Sequence, residues 1–174
     1  MSKNKVLVID VEMTCWDEPR PNHYPEIIQV GVVEVDMINL EITRERMMYV
    51  KPVASEISDF CTELTGVTKH QVYKQGLTIR KMIDVLYDKF GMKNKVVFGW
   101  GRDDIPFDGH IPQYVNLSAL YSMMKGEDVK YNLEDALKLE DIEFEGNAHD
   151  ALVDAQNTAK LLIHVFKSMR TMGL

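Results

Sequence analysis

Two carboxylates stand one residue apart near the start of the chain, Asp10 and Glu12, directly after the apolar run Val6-Leu7-Val8-Ile9. The run is short and rich in β-branched residues, so it predicts a strand over 5–11 buried on both faces. On an extended chain residues i and i+2 project to the same side. Like charges held that close repel unless a cation lies between them, and a divalent metal with hard oxygen ligands is the usual partner. Taken alone, the pair can equally solvate a strand end. More acids bear on the choice. Asp103 and Asp104 follow Val96-Val97-Phe98 and two glycines; an acid there can reach a cleft at the sheet's edge, or favour the start of a helix through its dipole. His149 precedes the long final helix and Asp154 lies in its first turns. Helical spacing would put them about 140° apart, so they converge only if His149 sits in the loop entering the helix. Each has an ordinary reading as well, His149 as a capping or surface histidine and Asp154 as a solvated helix acid.

The elements that must position these groups follow from periodicity. Strands are predicted over 27–35 and, after a turn at 36–39, over 40–50, where partial alternation suggests an antiparallel pair. A helical stretch capped by Ser55 or Ser58 carries Ile57, Phe60, Cys61 and Leu64 and closes at Thr65-Gly66. An amphipathic helix spans 78–90 with the stripe Ile79, Met82, Ile83, Leu86 and Phe90. Further strands are predicted at 95–100 and 114–117, helices near 117–125 and 132–139, and a last helix over 150–172 lined by Leu152, Ala155, Ala159, Leu162, Ile163 and Phe166. Small Ala148, Ala151 and Ala155 would let that helix approach a sheet closely. Three antiparallel strands followed by strands alternating with helices predict an α/β fold, a mixed sheet flanked by helices.

Composition narrows the function. The chain has 174 residues, 45% hydrophobic and 27% charged, which suits one domain over 1–174 with a substantial core. Its formal net charge of −7 and the lack of a Lys/Arg cluster exclude non-specific gripping of long duplex nucleic acid. Any nucleic-acid contact must be local or assisted by metal. Cys15 and Cys61 offer no disulfide framework, so a reducing, cytoplasmic compartment and two core thiols are expected. No signal peptide is read at the start and no membrane span anywhere. His164 reads as structural, and His23, His70 and His110 lack ligand spacing.

Taken in order, the acids and the histidine spell D-x-E … D … H-x4-D. This resembles the DEDDh 3′–5′ exonucleases, the DnaQ-like group with a ribonuclease H-like fold. Between the acids, Glu26-Ile27-Ile28-Gln29-Val30-Gly31, Val50-Lys51-Pro52, Leu64-Thr65-Gly66-Val67-Thr68 and Asn132-Leu133-Glu134-Asp135-Ala136-Leu137 stand where the family has similar segments. Asp10-Val11-Glu12-Met13-Thr14-Cys15-Trp16 and Tyr24-Pro25-Glu26-Ile27-Ile28 look like the ERI-like branch, whose relatives include the KapD-type proteins. In that branch the second motif reads W-G-x-x-D, which favours Asp104 over Asp103; Asp108 is a poorer fit.

The resemblance implies a mechanism. Asp10, Glu12, Asp104 and Asp154 would hold two divalent cations, Mg2+ or Mn2+, around a scissile phosphate. His149 would be the general base, a task suited to an imidazole. The partner would be a single-stranded 3′ end, RNA favoured, and the product a 5′ mononucleotide; a homodimer is compatible with the family. The terminal nucleotide would be held by Met13, Thr14, Trp16, Tyr24, Leu64 and Thr65. Met13 can also be core filler, Leu64-Thr65 part of a plain helix end, and the two aromatics buried rather than stacking. The proline-bearing loop 17–25 is expected to overhang the cleft. A DNA-directed, proofreading-type exonuclease, a ribonuclease H-like endonuclease and a non-catalytic RNA 3′-end-binding module are the competing readings.

Overall fold

The computed structural model describes residues 4–18, 20–21, 24–101, 108–111, 113–126, 130–171 and 173. Five strands form one sheet in the order β3-β2-β1-β4-β5. They are β1 (Lys5–Met13), β2 (Ile27–Asp36), β3 (Glu41–Tyr49), β4 (Val97–Gly99) and β5 (Tyr114–Asn116). β1 and β2, and β2 and β3, pair antiparallel; β4 runs parallel to β1 and β5 parallel to β4. Six α-helices accompany the sheet: α1 (Asp59–Thr65), α2 (Lys69–Gln75), α3 (Ile79–Phe90), α4 (Leu117–Lys125), α5 (Leu133–Leu139) and α6 (Ala151–Thr171). None of the described helices is long and apolar enough to cross a membrane.

The central strand is sandwiched, as its continuous apolar run requires. Leu7, Ile9 and Val11 pack with Met82, Leu86 and Phe90 of α3. Val8, from the opposite face, packs with Ala155, Ala159 and Leu162 of α6. Ser58 caps α1, its hydroxyl accepting from the Cys61 N–H, and Gly66 ends that helix at φ 71°, a left-handed conformation that glycine adopts without steric cost.

Three expectations need correction. Residues 69–75 form a helix that periodicity does not show, because only Val72 on it is buried. Its signal is a capping box, in which Thr68 and Gln71 satisfy one another's backbone N–H groups. No α-helix separates β4 from β5 among the described residues; a 3₁₀ turn over Asp108–His110 lies there, and α4, α5 and α6 follow β5. Ile79, placed on the apolar stripe of α3, is instead 38% exposed at the helix's first residue.

At the end of the sheet away from Glu12, Glu34 is buried among cations. Lys5 Nζ lies 2.9 Å and an Arg44 nitrogen 3.2 Å from its oxygens, and Lys95 bonds it too. Burial alone would raise this carboxyl, but the bonds from Lys95, Lys5 and Thr43 overcome that and pull it down to about 2. An acid with a lowered folded pKa contributes stability that is present above its unfolded value and lost as pH falls through the folded one. Glu34→Gln should therefore cost roughly 2 kcal/mol at pH 7, with the difference from wild type shrinking below about pH 4.5. Urea unfolding at pH 7 and pH 3 measures this; an equal cost at both would rule out the charge as the cause.

Candidate active site

Alternation along β1 decides where its acids point. Asp10 and Glu12 continue the face of Val6 and Val8, the face that meets α6. Across the ladder, Asp10 is paired with Gly31 and Glu12 with Gln29. Gly31 is a requirement of this contact, since a Cβ there would run into the backbone of Ala151 and Leu152. The first turn of α6 thus lies directly on β2, beside the strand that carries the two acids.

The chain enters α6 through a tight turn. Asp150 Oδ1 accepts from the N–H groups of Leu152 (2.9 Å) and Val153 (3.3 Å), satisfying two orphan donors of the helix start. His149, one residue earlier, has φ 66°. That left-handed conformation is strained for a side chain with a Cβ, and such strain is concentrated at functional sites. The His149 N–H donates to Asp154 Oδ2 at 3.0 Å. The histidine is therefore in the entering loop, as convergence with Asp154 demands. Glu12, His149 and Asp154 each bring one potential ligand atom within 4.8 Å of the others.

Asp154 is the electrostatic centre of the group. Burial pushes its carboxyl up to about 6. The His149 N–H and imidazole pull the other way, while the charges of Asp150 and Glu134 push it higher. A cleft of about 360 Å³ opens on these groups, lined by Asp10, His149 and Asp154 together with Trp100, Asn132, Leu133, Glu134, Phe144 and Ala148. Trp100 and Phe144 carry no mark of this role in the sequence reading. Trp100 lies within the W-G-x-x-D segment, and its ring is braced by Tyr121, 6.2 Å away; Phe144 has no local signal. Asn132, Leu133 and Glu134 stand on the segment that resembles the family's helix before the histidine. Asp103 and Asp104 lie outside the described residues, and Asp108 begins the 3₁₀ turn after β4.

None of the expected nucleotide-holding residues lines that cleft. Met13 ends β1 beyond a register shift and packs partly into the core. Thr14 is fully buried; its N–H donates to the Glu26 carbonyl (2.8 Å) and its hydroxyl accepts from the Glu26 N–H (2.9 Å). Thr65 is buried too, its hydroxyl donating to the Cys61 carbonyl at 2.8 Å. Leu64 and Tyr24 are exposed, by 40% and 79%. Trp16 is partly buried, with the Arg20 guanidinium 5.8 Å from its ring. Of the loop 17–25, residues 19, 22 and 23 lie outside the described residues. Cys15 and Cys61 are free. Burial, then the adjacent Cys61, pushes the Cys15 thiol up to about 12, which suppresses the reactive thiolate.

These residues are held to the site end of the sheet by two polar ties. The Ser58 hydroxyl donates to the Cys15 carbonyl at 2.6 Å, docking α1 beneath the chain that leaves β1. The Glu26 carboxylate collects the backbone N–H groups of Val53, Ala54 and Ser55. Burial would raise that carboxyl, yet the three backbone bonds hold it below the usual carboxylate range. Glu26→Gln is expected to cost about 1 kcal/mol and to loosen 51–58. Faster amide exchange at Ala54 and Ser55 would register the change; unaltered exchange would dismiss the tie.

The donor set suits a divalent cation. Carboxylates with one imidazole are ligands of hard or borderline metals, and a cation among them would favour the charged form of Asp154 that burial disfavours.

Fold and cleft together define a ribonuclease H-like nuclease architecture. The nuclease domain of 3′hExo, a DEDDh family member solved bound to rAMP, superposes with a TM-score of 0.84 at 23% identity, over 95% of this chain and 92% of that one. A family model described as an exonuclease (RNase_T) matches residues 7–162, and the chain belongs to that family, in the ERI-like branch of the DEDDh 3′–5′ exonucleases. Human ERI1 exoribonuclease 2 is 26% identical over 90% of this chain and 27% of its own length. Human ERI1 exoribonuclease 3 is 28% identical over 90% of this chain and 52% of its own length. The chain thus spans about half or less of these curated relatives.

Proposed function

We propose that this chain is a metal-dependent 3′–5′ exoribonuclease that removes 5′ mononucleotides from single-stranded 3′ ends. The observation that carries the reading is the convergence of Glu12, His149 and Asp154 within 4.8 Å, on a cleft that also exposes Asp10, in a chain of the exonuclease family. RNA is favoured over DNA because the curated relatives are exoribonucleases by name. The 174 residues act as a single exonuclease domain in the cytoplasm.

In this reading Asp10, Glu12, Asp154 and Asp104 hold two divalent cations, Mg2+ or Mn2+, which when bound supply the positive charge that an acidic cleft needs to accept a phosphodiester. His149 removes the proton from the attacking water. Its strained backbone and the bond from its N–H to Asp154 keep the imidazole over the carboxylates before substrate arrives. Burial holds the Asp154 carboxyl up at about 6, so below that pH it must lose a proton to act as a ligand. Trp100 and Phe144 offer apolar surface to the nucleotide beside the scissile bond. Leu64 and Tyr24, exposed near the end of β1, offer contacts to the terminal base; buried Thr14 and Thr65 act by holding the backbone around them.

The test uses 5′-labelled single-stranded RNA and DNA of matched sequence, with Mg2+, Mn2+ or EDTA. A metal-dependent ladder that shortens from the 3′ end, faster on RNA, is the expected result. Internal cuts would indicate an endonuclease, a DNA preference the proofreading type, and metal-dependent end binding without cleavage a binding module.

A further inference from the structure

We propose, resting on the exonuclease reading, that Gln29 is a positioning residue for His149, acting through Asp150. Gln29 is 2% exposed near the start of β2, among isoleucines and valines. An amide buried in such a place is costly unless its hydrogen bonds are made. Both ends of this one are engaged with the start of α6. Its Oε1 accepts from the Ala151 N–H at 3.0 Å, and its Nε2 donates to Asp150 Oδ2 at 3.4 Å.

The helix start is thereby fully accounted for. Gln29 takes the Ala151 N–H, the other Asp150 oxygen takes those of Leu152 and Val153, and the Asp154 N–H bonds the Asp150 carbonyl at 2.9 Å. Asp150 would cap the helix without help from the sheet. What Gln29 adds is a fixed reference between the cap and β1, because Gln29 is the register partner of Glu12. His149 sits between two clamps, its own N–H on Asp154 and the next residue's carboxylate on Gln29. Tyr49, the partner of Gln29 on β3, also feels Asp150: burial first and then the Asp150 charge raise its phenol. The loop that carries the imidazole is therefore tied by a side-chain amide, as well as by the packing of α6 on Gly31, to the strand pair that carries Glu12. Errors of about 1 Å in such placement can cost up to a hundredfold in rate.

The test is a charge swap. Gln29→Glu keeps the shape and the acceptor for Ala151 but sets a carboxylate against Asp150. It should lower kcat on RNA by about tenfold, with KM within about twofold. Adding Asp150→Ser to that variant gives the new carboxylate a hydroxyl donor and leaves a competent helix cap, and should recover kcat to within about threefold of wild type. The His149 ring resonances should shift in the single variant and return in the double. Thermal melts check that each variant is folded; if Gln29→Glu does not fold, Gln29→Met takes its place, with the same expected loss of kcat. A single variant that keeps kcat within twofold and leaves the His149 ring signals in place would overturn the proposal, as would a double variant that recovers neither. If the wild-type protein degrades no nucleic acid, the exonuclease reading fails, and the ring signals alone decide whether Gln29 positions His149.

Discussion

Replacing His149 by alanine should slow 3′-end trimming by about a hundredfold or more while leaving the protein folded. The imidazole is exposed and makes no core contact, so little packing is lost. Alanine keeps the Cβ, so the left-handed backbone at φ 66° is not relieved by the change. The defect should therefore appear in kcat at saturating RNA and not in the melting temperature. Mn2+ binding by calorimetry separates the two roles an imidazole can play here. Affinity close to wild type identifies a base; affinity lost together with turnover would make His149 a ligand and sink its assignment as the proton acceptor.

Asp154→Asn should make the metal-free protein more stable and nearly inactive. Asp154 is held at about 6 against an ordinary value of 3.8. For an acid whose folded pKa is raised, folding favours the neutral form. The stabilisation is fully present below the unfolded value and is lost as pH rises through the folded one. Metal-free wild type should thus lose stability between about pH 4 and pH 6. A shift of about two units corresponds to about 3 kcal/mol at most. Asparagine stays neutral and can still accept from the His149 N–H. At pH 7.5 the variant should gain roughly 2 kcal/mol, or about 4–8 °C in Tm, and its pH-stability profile should flatten between pH 4 and pH 6. Turnover should fall by roughly a hundred- to a thousandfold, because a charged ligand is gone. In wild type, cation affinity should weaken as pH drops through 6, one proton being displaced at this carboxyl. A variant no more stable than wild type, with the slope between pH 4 and 6 intact, would show that another group carries the penalty.

Much of the candidate site is legible in the chain itself. The apolar run through Ile9 and the i, i+2 spacing of Asp10 and Glu12 are local facts of a strand, and the strand places them on one face as the period of two requires. His149 has to be in a loop to meet Asp154, and it is. Other features are written in the sequence but have no local pattern to reveal them. Gln29 and Gly31 read as ordinary strand residues until the register sets them opposite Glu12 and Asp10 and α6 descends on them. Trp100, Phe144 and Glu134 share a cleft although they come from separate segments. The expected nucleotide-holding set includes residues that follow the acids along the chain, and the structure buries two of its members, Thr14 and Thr65. The α2 helix escapes a periodicity reading because only Val72 on it is buried.

By itself the sequence determined which groups could do chemistry, on which strand and helix they stand, and which way the two strand acids project, because these follow from covalent geometry over two to four residues. Only the tertiary structure decided that Glu12, His149 and Asp154 meet, that burial raises Asp154, and that an amide on a neighbouring strand holds the histidine's loop. Those depend on strand register and on how closely α6 approaches the sheet, both set by packing between residues more than a hundred positions apart in the chain.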